Sequence, residues 1–472
     1  MRYTILTLGC KVNQYESQAM EKWLTERGHE QAGPGEDFDL AVVNTCTVTA
    51  VADKKNRNLI RRLRKQCPGA VLAVCGCYAQ VKPEDVRALG ADVISGSGGR
   101  EAFLELALET LKDRQRREAL DEALRRRDFE VLPAGGLAAR TRAMLKVQDG
   151  CSNFCSYCII PYARGPVRSL PLSDAVEQAK GLAAEGYREI VVTGLEIASW
   201  GWDFHDGSRL PALIDALCEA VPEVRVRMGS LEPRIVDGDF CALAKHPNLC
   251  PHFHLSLQSG SDGVLSRMRR RYDTARYCDS VRLLRETFPG CAVTTDLIVG
   301  FPGETEAEFA ESLAFIRKCG FAAMHVFPYS RRPGTPADKL PGQLGNAVKE
   351  ARSAAAIAAA AELNQAFRSS MIGTVQEVLF EEESPVTSHQ SPEDGGTDPS
   401  TPLRDPQDDK PAGGGALDAP LSFPEASSVS LWTGHAPNSV RVYAPGEGLH
   451  NQVLPVRITA LYEDGVLGET VR

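Results

Sequence analysis

The sequence predicts an α/β protein built of three consecutive units. At 472 residues the chain is too long for one ordinary domain. Short apolar strands alternate with amphipathic helical stretches over roughly its first three-quarters, the pattern of parallel sheets flanked by helices. Its last part switches to strand-like runs split by a polar, acidic stretch. Apolar residues make up 43% and charged residues 24%, a globular composition. The alanine-rich apolar run Ala354 to Ala361 is far shorter than the roughly 20 residues that span a bilayer, so no membrane partner is expected. Met1-Arg2-Tyr3-Thr4 leads straight into a strand-like stretch with no secretory pattern, and a cytoplasmic location is expected.

The first unit, 1–135, carries strands at Tyr3 to Leu8, Leu40 to Val43 and Val71 to Val74, followed by helices at Asn13 to Arg27, Val51 to Gln66 and after Pro83. Each strand runs into a cysteine: Cys10, Cys46 and Cys77. Their gaps of 36 and 31 residues are one βαβ unit each. Ligands of such sheets bind outside the strand carboxyl ends, so three thiols are expected in one crevice. Cys75 competes with Cys77. It continues the apolar strand, however, whereas Gly76-Cys77 has left it, as Gly9-Cys10 leaves the first.

The second unit, 136–368, repeats strand and helix six times, with strands at Ala143 to Gln148, Glu189 to Thr193, Val224 to Met228, His252 to Gln258, Val293 to Val299 and Ala322 to Phe327. Six βα units are too few to close an eight-stranded barrel, which predicts an open, partial (βα)6 barrel with its site at the strand carboxyl ends. Thr305-Glu306-Ala307-Glu308 reads as a capping box. Alternation over His252 to Gln258 would send Ser256 and Gln258 to one face, the lumen.

The third unit, 369–472, has strand-like runs at Val375 to Phe380, Ser439 to Tyr443 and Val453 to Leu461, fitting a small antiparallel β domain. Low-complexity residues 381–425 interrupt it. They hold eleven acidic and two basic residues, so the net charge of −9 belongs to this segment and the remainder is neutral. Rich in Pro, Gly, Ser and Asp, the segment reads as a disordered insertion. Elsewhere Lys54 to Lys65 contains seven basic residues and no acid, and Arg267, Arg269, Arg270 and Arg271 form a second basic cluster. Either can hold phosphates or be a solvated helix face.

The chemistry is carried by Cys151-Ser152-Asn153-Phe154-Cys155-Ser156-Tyr157-Cys158 after the first barrel strand. Three thiolates on one loop can each hold one iron of a [4Fe-4S] cube, leaving the fourth iron open. Structural zinc, the competing reading, wants four ligands, and the next cysteine, Cys218, sits in a helical stretch.

CxxxCxxC opening a partial βα barrel resembles the radical S-adenosylmethionine (SAM) superfamily. The resemblance implies that SAM chelates the open iron, that Tyr157 lies against its nucleoside, and that reductive cleavage yields a 5′-deoxyadenosyl radical. Two three-cysteine sets narrow it to the radical SAM methylthiotransferase family. The motifs that match are Leu8-Gly9-Cys10-Lys11-Val12-Asn13, Asn44-Thr45-Cys46-Thr47-Val48, Gly76-Cys77-Tyr78-Ala79-Gln80 and Pro251 to Ser261. This implies a flavodoxin-like first unit with an auxiliary [4Fe-4S] cluster on Cys10, Cys46 and Cys77, a catalytic cluster on Cys151, Cys155 and Cys158, and a TRAM-like RNA-binding third unit. Lys146 to Cys151 and Ile159 to Gly165 look most like the branch acting on N6-threonylcarbamoyladenosine beside the anticodon (position 37) of tRNA. The branches acting on isopentenyladenosine in tRNA and on a ribosomal-protein aspartate are next. In the family one SAM methylates a sulfur on the auxiliary cluster and a second activates C2 of the adenine, so the two sets are expected to face each other across a crevice. A sulfur source and an electron donor such as a flavodoxin or ferredoxin are implied.

Thr193, Gly194, Arg227, Ser230, Glu232, Ser256 and Gln258 are the SAM-pocket candidates, against ordinary lumen polarity. Gly229 stands where the family has a second Ser. Cys67, Cys218, Cys241, Cys250, Cys278, Cys291 and Cys319 have no matched spacing and are expected to be buried or incidental. A reading of another class is an RNA-binding protein using its clusters as staples without catalysis.

Overall fold

The computed structural model describes residues 1–33, 35–135, 141–384 and 430–471. Its first unit is built on one six-stranded sheet, ordered Glu30–Gln31, Arg2–Thr7, Leu40–Thr45, Val71–Gly76, Val93–Ser95, Arg117–Ala119, with every neighbouring pair parallel. Period two explains why its strands read as continuous apolar runs. Leu40, Val42, Val71, Ala73 and Cys75 face Met20, Trp23 and Leu24 of helix α1 (Lys11–Glu26). The alternate residues Ala41, Val43, Leu72 and Val74 face Ile60 and Leu63 of helix α2 (Ala50–Gln66). Taken in chain order the strands run 2-1-3-4-5 with a sixth added, the flavodoxin-like order, whose switch point falls between Arg2–Thr7 and Leu40–Thr45. Cys10 and Cys46 stand at the carboxyl ends of these two strands.

In the second unit the strands Arg142–Lys146, Glu189–Thr193 and Arg225–Met228 form one parallel sheet, and His252–His254, Ala292–Val299 and Ala323–Pro328 another. The pairs Val226↔Leu249 and Leu231↔Leu255 join the two halves into the expected open array of six. Thr305 and Glu308 make the expected capping box.

One expectation fails here. The strand beginning at His252 ends at His254, short of the expected Gln258, although Leu255 and Leu257 stay buried and Ser256 and Gln258 are both half-buried. Thr295 Oγ1 takes the Leu257 N–H at 3.0 Å in place of a ladder partner, and Gln258 adopts a left-handed φ of 67°.

The third unit is a closed five-stranded barrel of Val375–Ser384, Leu431–His435, Arg441–Pro445, Gly465–Thr470 and Val453–Tyr462, in that circular order. It is not purely antiparallel, because Arg441–Pro445 pairs with Gly465–Thr470 in parallel. The expected insertion also begins too early: residues 381–384 complete a strand, and 385–425 lie outside the described residues. Glu381 accepts from His435 Nδ1 at 2.8 Å and pairs with Arg142 at 2.5 Å, fastening this barrel to the second unit. Among the described residues no helix is long and apolar enough to cross a membrane.

Candidate active site

Backbone geometry at two glycines positions the dispersed cysteines. Gly9 has φ 127°, and a Cβ there would stand 2.7 Å from Cys46 Cβ. Gly76 has φ 100°, and a Cβ would meet the Thr45 carbonyl at 2.4 Å. Only glycine lets the chain turn from strand into cysteine at such close approach. Asn13, three residues after Cys10, donates from Nδ2 to the Thr45 carbonyl at 2.9 Å and accepts from Cys10 Sγ at 3.4 Å. Asn44 returns a bond to the Asn13 carbonyl at 2.9 Å, tying the first two cysteine turns together. Cys77 opens the helix Cys77–Val81 and is buried, whereas Cys75 lies inside its strand in the sheet core.

These three thiols feel one another. Burial pushes Cys46 up to about 12, and the neighbouring Cys10 and Cys77 push the same way. Burial raises Cys10 as well, with the Arg164 guanidinium opposing it.

That guanidinium comes from the second unit. Arg164 ends the helix Ile160–Arg164, six residues after Cys158, and its Nε donates to Cys77 Sγ at 3.0 Å. Its other nitrogens reach Asn13 Oδ1 at 3.1 Å and Glu16, and Glu16 also accepts from Arg100 at 2.7 Å and Lys146 at 3.1 Å. Lys146 turns in addition to Asp149 at 2.7 Å, which lies two residues before Cys151. Arg100, Lys146, Arg164, Arg168, Glu16 and Asp149 are all buried. Four buried cations face two buried carboxylates, an imbalance that is costly unless an anion shares the site. Cys151 N–H donates to the Gly165 carbonyl at 2.9 Å, so the loop of the second set and the donor to the first are neighbours.

The local loop is held from three sides. Gln148 Nε2 donates to the Gly150 carbonyl at 2.7 Å, and its Oε1 accepts from Leu195 and Glu196 N–H at 3.0 and 2.9 Å, joining the ends of the first two barrel strands. Ser156 N–H donates to the Met268 carbonyl at 3.0 Å. Arg270 Nη1 donates to Cys155 Sγ at 3.2 Å. Tyr157 packs edge-on against Phe301 with centroids 6.4 Å apart. Burial pushes both Cys151 and Cys158 up to about 12.

The remaining candidates separate. Thr193 is buried at its strand end, with Gly194 beside the Gln148 side chain. Glu232 pairs with Arg234 at 2.9 Å, and Ser230 is exposed. Ser256 gives its carbonyl to Tyr272 Oη. Arg227 does not join them: it forms a two-pronged pair with Glu189 at 2.6 and 2.9 Å and donates to the Pro437 carbonyl of the third unit. Glu189 begins its strand, so this pair lies toward the barrel end opposite the cysteine loop.

Sequence reasoning missed Arg164 as a hydrogen-bond donor to the Cys77 sulfur, and also Glu196. Burial pushes Glu196 up to about 7, Glu232 adds to this, and Arg270 opposes it; its Oε1 has no partner among the described residues. Glu196 lines a cavity of about 260 Å³ with Asn153, Glu232 and Arg271. The second basic cluster is not one patch, since Arg267 pairs with Glu308 at 2.9 Å and Arg270 serves Cys155.

The arrangement of the cysteines can be tested against the metal each trio would hold. One zinc with Zn–S near about 2.3 Å would gather its sulfurs within about 4.6 Å of one another. Among the described residues neither trio gathers even within 4.8 Å. A trio not gathered to that span, with the buried Arg164 guanidinium on Cys77 and the part-buried Arg270 guanidinium on Cys155, fits an anionic cluster with a thiolate at each of three corners.

The fold and the three-cysteine loop define a radical SAM enzyme. Residues 145–316 match the Radical SAM superfamily, and residues 2–96 match "Uncharacterized protein family UPF0004". Cobalamin-containing radical SAM methyltransferase TsrM from Kitasatospora setae has a similar fold, with TM-score 0.53 at 16% identity over 71% of this chain and 76% of that one. The Threonylcarbamoyladenosine tRNA methylthiotransferase MtaB of Bacillus subtilis is 40% identical over 80% of this chain and 84% of its own. The enzyme of the same name from Thermotoga maritima is 36% identical over 80% and 86%. A tRNA-2-methylthio-N(6)-dimethylallyladenosine synthase from Acidothermus cellulolyticus is 37% identical over 80% and 77%. The chain belongs to the radical SAM methylthiotransferase family. Its cofactors are SAM and [4Fe-4S] clusters.

Proposed function

We propose that the protein transfers a methylthio group to C2 of N6-threonylcarbamoyladenosine at position 37 of tRNA, in the cytoplasm. The 40% identity to the Bacillus subtilis enzyme of that name carries the choice of nucleoside. When bound, SAM and the two clusters supply the methyl, sulfur and radical chemistry.

The chain's own residues bind and orient. Cys151, Cys155 and Cys158 hold the catalytic cluster, with Arg270 fixing Cys155. Tyr157 lies against the SAM nucleoside, and Thr193, Gly194, Ser230, Glu232, Ser256 and Gln258 line its pocket. Cys10, Cys46 and Cys77 hold the auxiliary cluster, with Arg164 fixing Cys77 from the neighbouring unit. In this division 1–135 carries the sulfur, 136–368 the SAM chemistry, and the TRAM-like 369–472 holds RNA. A flavodoxin or ferredoxin supplies electrons, and a separate donor supplies sulfur.

Mass spectrometry of tRNA nucleosides from a deletion strain tests the substrate. The 2-methylthio derivative of threonylcarbamoyladenosine should vanish while its precursor accumulates. Loss of the isopentenyladenosine derivative, or of the ribosomal aspartate modification, would assign the chain to another branch. Reconstituted protein that makes no 5′-deoxyadenosine with dithionite and SAM would favour RNA binding without catalysis.

A further inference from the structure

Helix α2 begins three residues after Cys46, at an N-cap where Thr49 accepts from Ala52 N–H. Its inward residues Asn56, Ile60 and Leu63 are buried, and Asp53, the only acid in the helix, is buried as well. Asp53 pairs with Arg332 of the second unit at 2.9 Å and with Lys82 at 3.1 Å. Ala50 N–H donates to Ser330 Oγ at 3.1 Å. The start of the helix is thereby fixed to the barrel unit, and its direction relative to both cysteine sets is set by the fold.

The outward side is different. Lys54, Lys55, Arg61, Arg62 and Lys65 are exposed, and none has an ion-pair partner among the described residues. The other two basic residues are occupied, Arg57 with Tyr78 Oη at 3.4 Å and Arg64 with Asp92 at 2.5 Å. At 3.6 residues per turn the five free cations fall within about 120° of the helix circumference and extend over about 16 Å. An ordinary solvated helix face mixes the two signs and pairs residues four apart; this face has one sign.

We propose that this face of α2 is a docking surface for the phosphodiester backbone of the substrate tRNA. The surface rests on the tRNA reading above. A row of like charges on a rigid helix complements regularly spaced phosphates, and its cysteine end marks where the strand it guides must deliver a base. Phosphate contacts of this kind position a nucleic acid without reading its sequence. Val48 and Val51, 49% and 63% exposed, lie at the cysteine end of the face. The Arg267 to Arg271 cluster is a poorer candidate, since two of its four arginines are committed elsewhere.

The test is the salt dependence of binding of unmodified and threonylcarbamoylated tRNA to cluster-loaded protein. Removing one cation that neutralises a phosphate lowers the slope of log affinity against log salt by about 0.9 on a duplex stem and about 0.7 on a single strand. Replacing all five cations by serine should lower the slope by at least about 2 and weaken binding at low salt tenfold or more. Iron content and tRNA-free SAM cleavage should stay unchanged. If the fivefold variant does not fold, K54S/K55S and R61S/R62S should each lower the slope by at least about 1. An unchanged slope in folded, loaded variants overturns the surface. So does an unchanged slope with loss of only flavodoxin-supported turnover, which would make the face a docking site for an acidic protein. Wild-type protein that shows no salt-dependent tRNA binding overturns the tRNA reading and this surface with it, whereas a failure of the variants alone leaves that reading intact.

Discussion

Cys151, Cys155 and Cys158 are joined by one loop of eight residues, whereas Cys10, Cys46 and Cys77 are spread over 68 residues and three strand ends. The local set is braced within its own unit, by Gln148, by the Met268 carbonyl that takes the Ser156 N–H, by Phe301 against Tyr157 and by one guanidinium from Arg270. The dispersed set needs the parallel strand order, two glycines in left-handed backbone and a guanidinium from another unit, Arg164. A site assembled from distant segments thus inherits the stability of everything that aligns them. A site on one loop depends mainly on that loop and the unit that braces it.

The largest expected effect is local. Cys155→Ala should abolish SAM cleavage to 5′-deoxyadenosine and remove about four irons per chain, leaving about four on the first unit. Loss of all iron would show instead that the two sets load as one.

Arg164→Gln should break the comparison from the other side, by weakening the dispersed set from outside its unit. It strips Glu16 of a buried partner, at about 3–5 kcal/mol of stability, and should lower auxiliary iron affinity about 10–100-fold. Adding Glu16→Gln should lower the melting temperature further, because Arg100 and Lys146 lose the carboxylate they share, and should not restore the auxiliary iron, because the donor to Cys77 is still missing. Recovery of the iron would make Arg164 a purely structural residue.

Protonation affects both sets in the same direction. Cys46, Cys151 and Cys158 are pushed up to about 12, so the metal-free protein holds them as thiols and loading must expel their protons. Iron uptake should therefore rise with pH in variants retaining either set alone. Uptake that falls with rising pH contradicts the burial argument.

The smallest effect is expected at Gly229, which has ordinary backbone and whose added Cβ would stand 3.0 Å from the Val192 carbonyl. Gly229→Ser needs a shift of a few tenths of an ångström and should change SAM cleavage by less than about threefold, a difference within about 0.7 kcal/mol. A large loss would place this residue in contact with SAM.

Much of this was legible because it is written in local chemistry. The Thr305 to Glu308 cap, the alternation that makes Leu40 to Val43 apolar on both faces, and the two Gly-Cys turns each follow from neighbours in sequence. What misled was reach across space. Arg227 looked like a strand-end ligand, but Glu189 claims it from the adjacent strand, two residues out of register on the same face. Arg270 looked like one of four equivalent surface cations until packing placed it on a cysteine sulfur.

By itself the sequence determined which residues could bind metal, that the second unit would carry six strands, and where the charge excess lies, because strand period, turn glycines and ligand spacing act over a few residues. Only the tertiary structure decided that Arg164 serves a cysteine of another unit, that Arg227 fastens the third unit, and that the basic face of α2 is left free. Those outcomes depend on which buried charges find each other when separate segments pack, a competition in which removal from water makes each pairing strong and each failure costly.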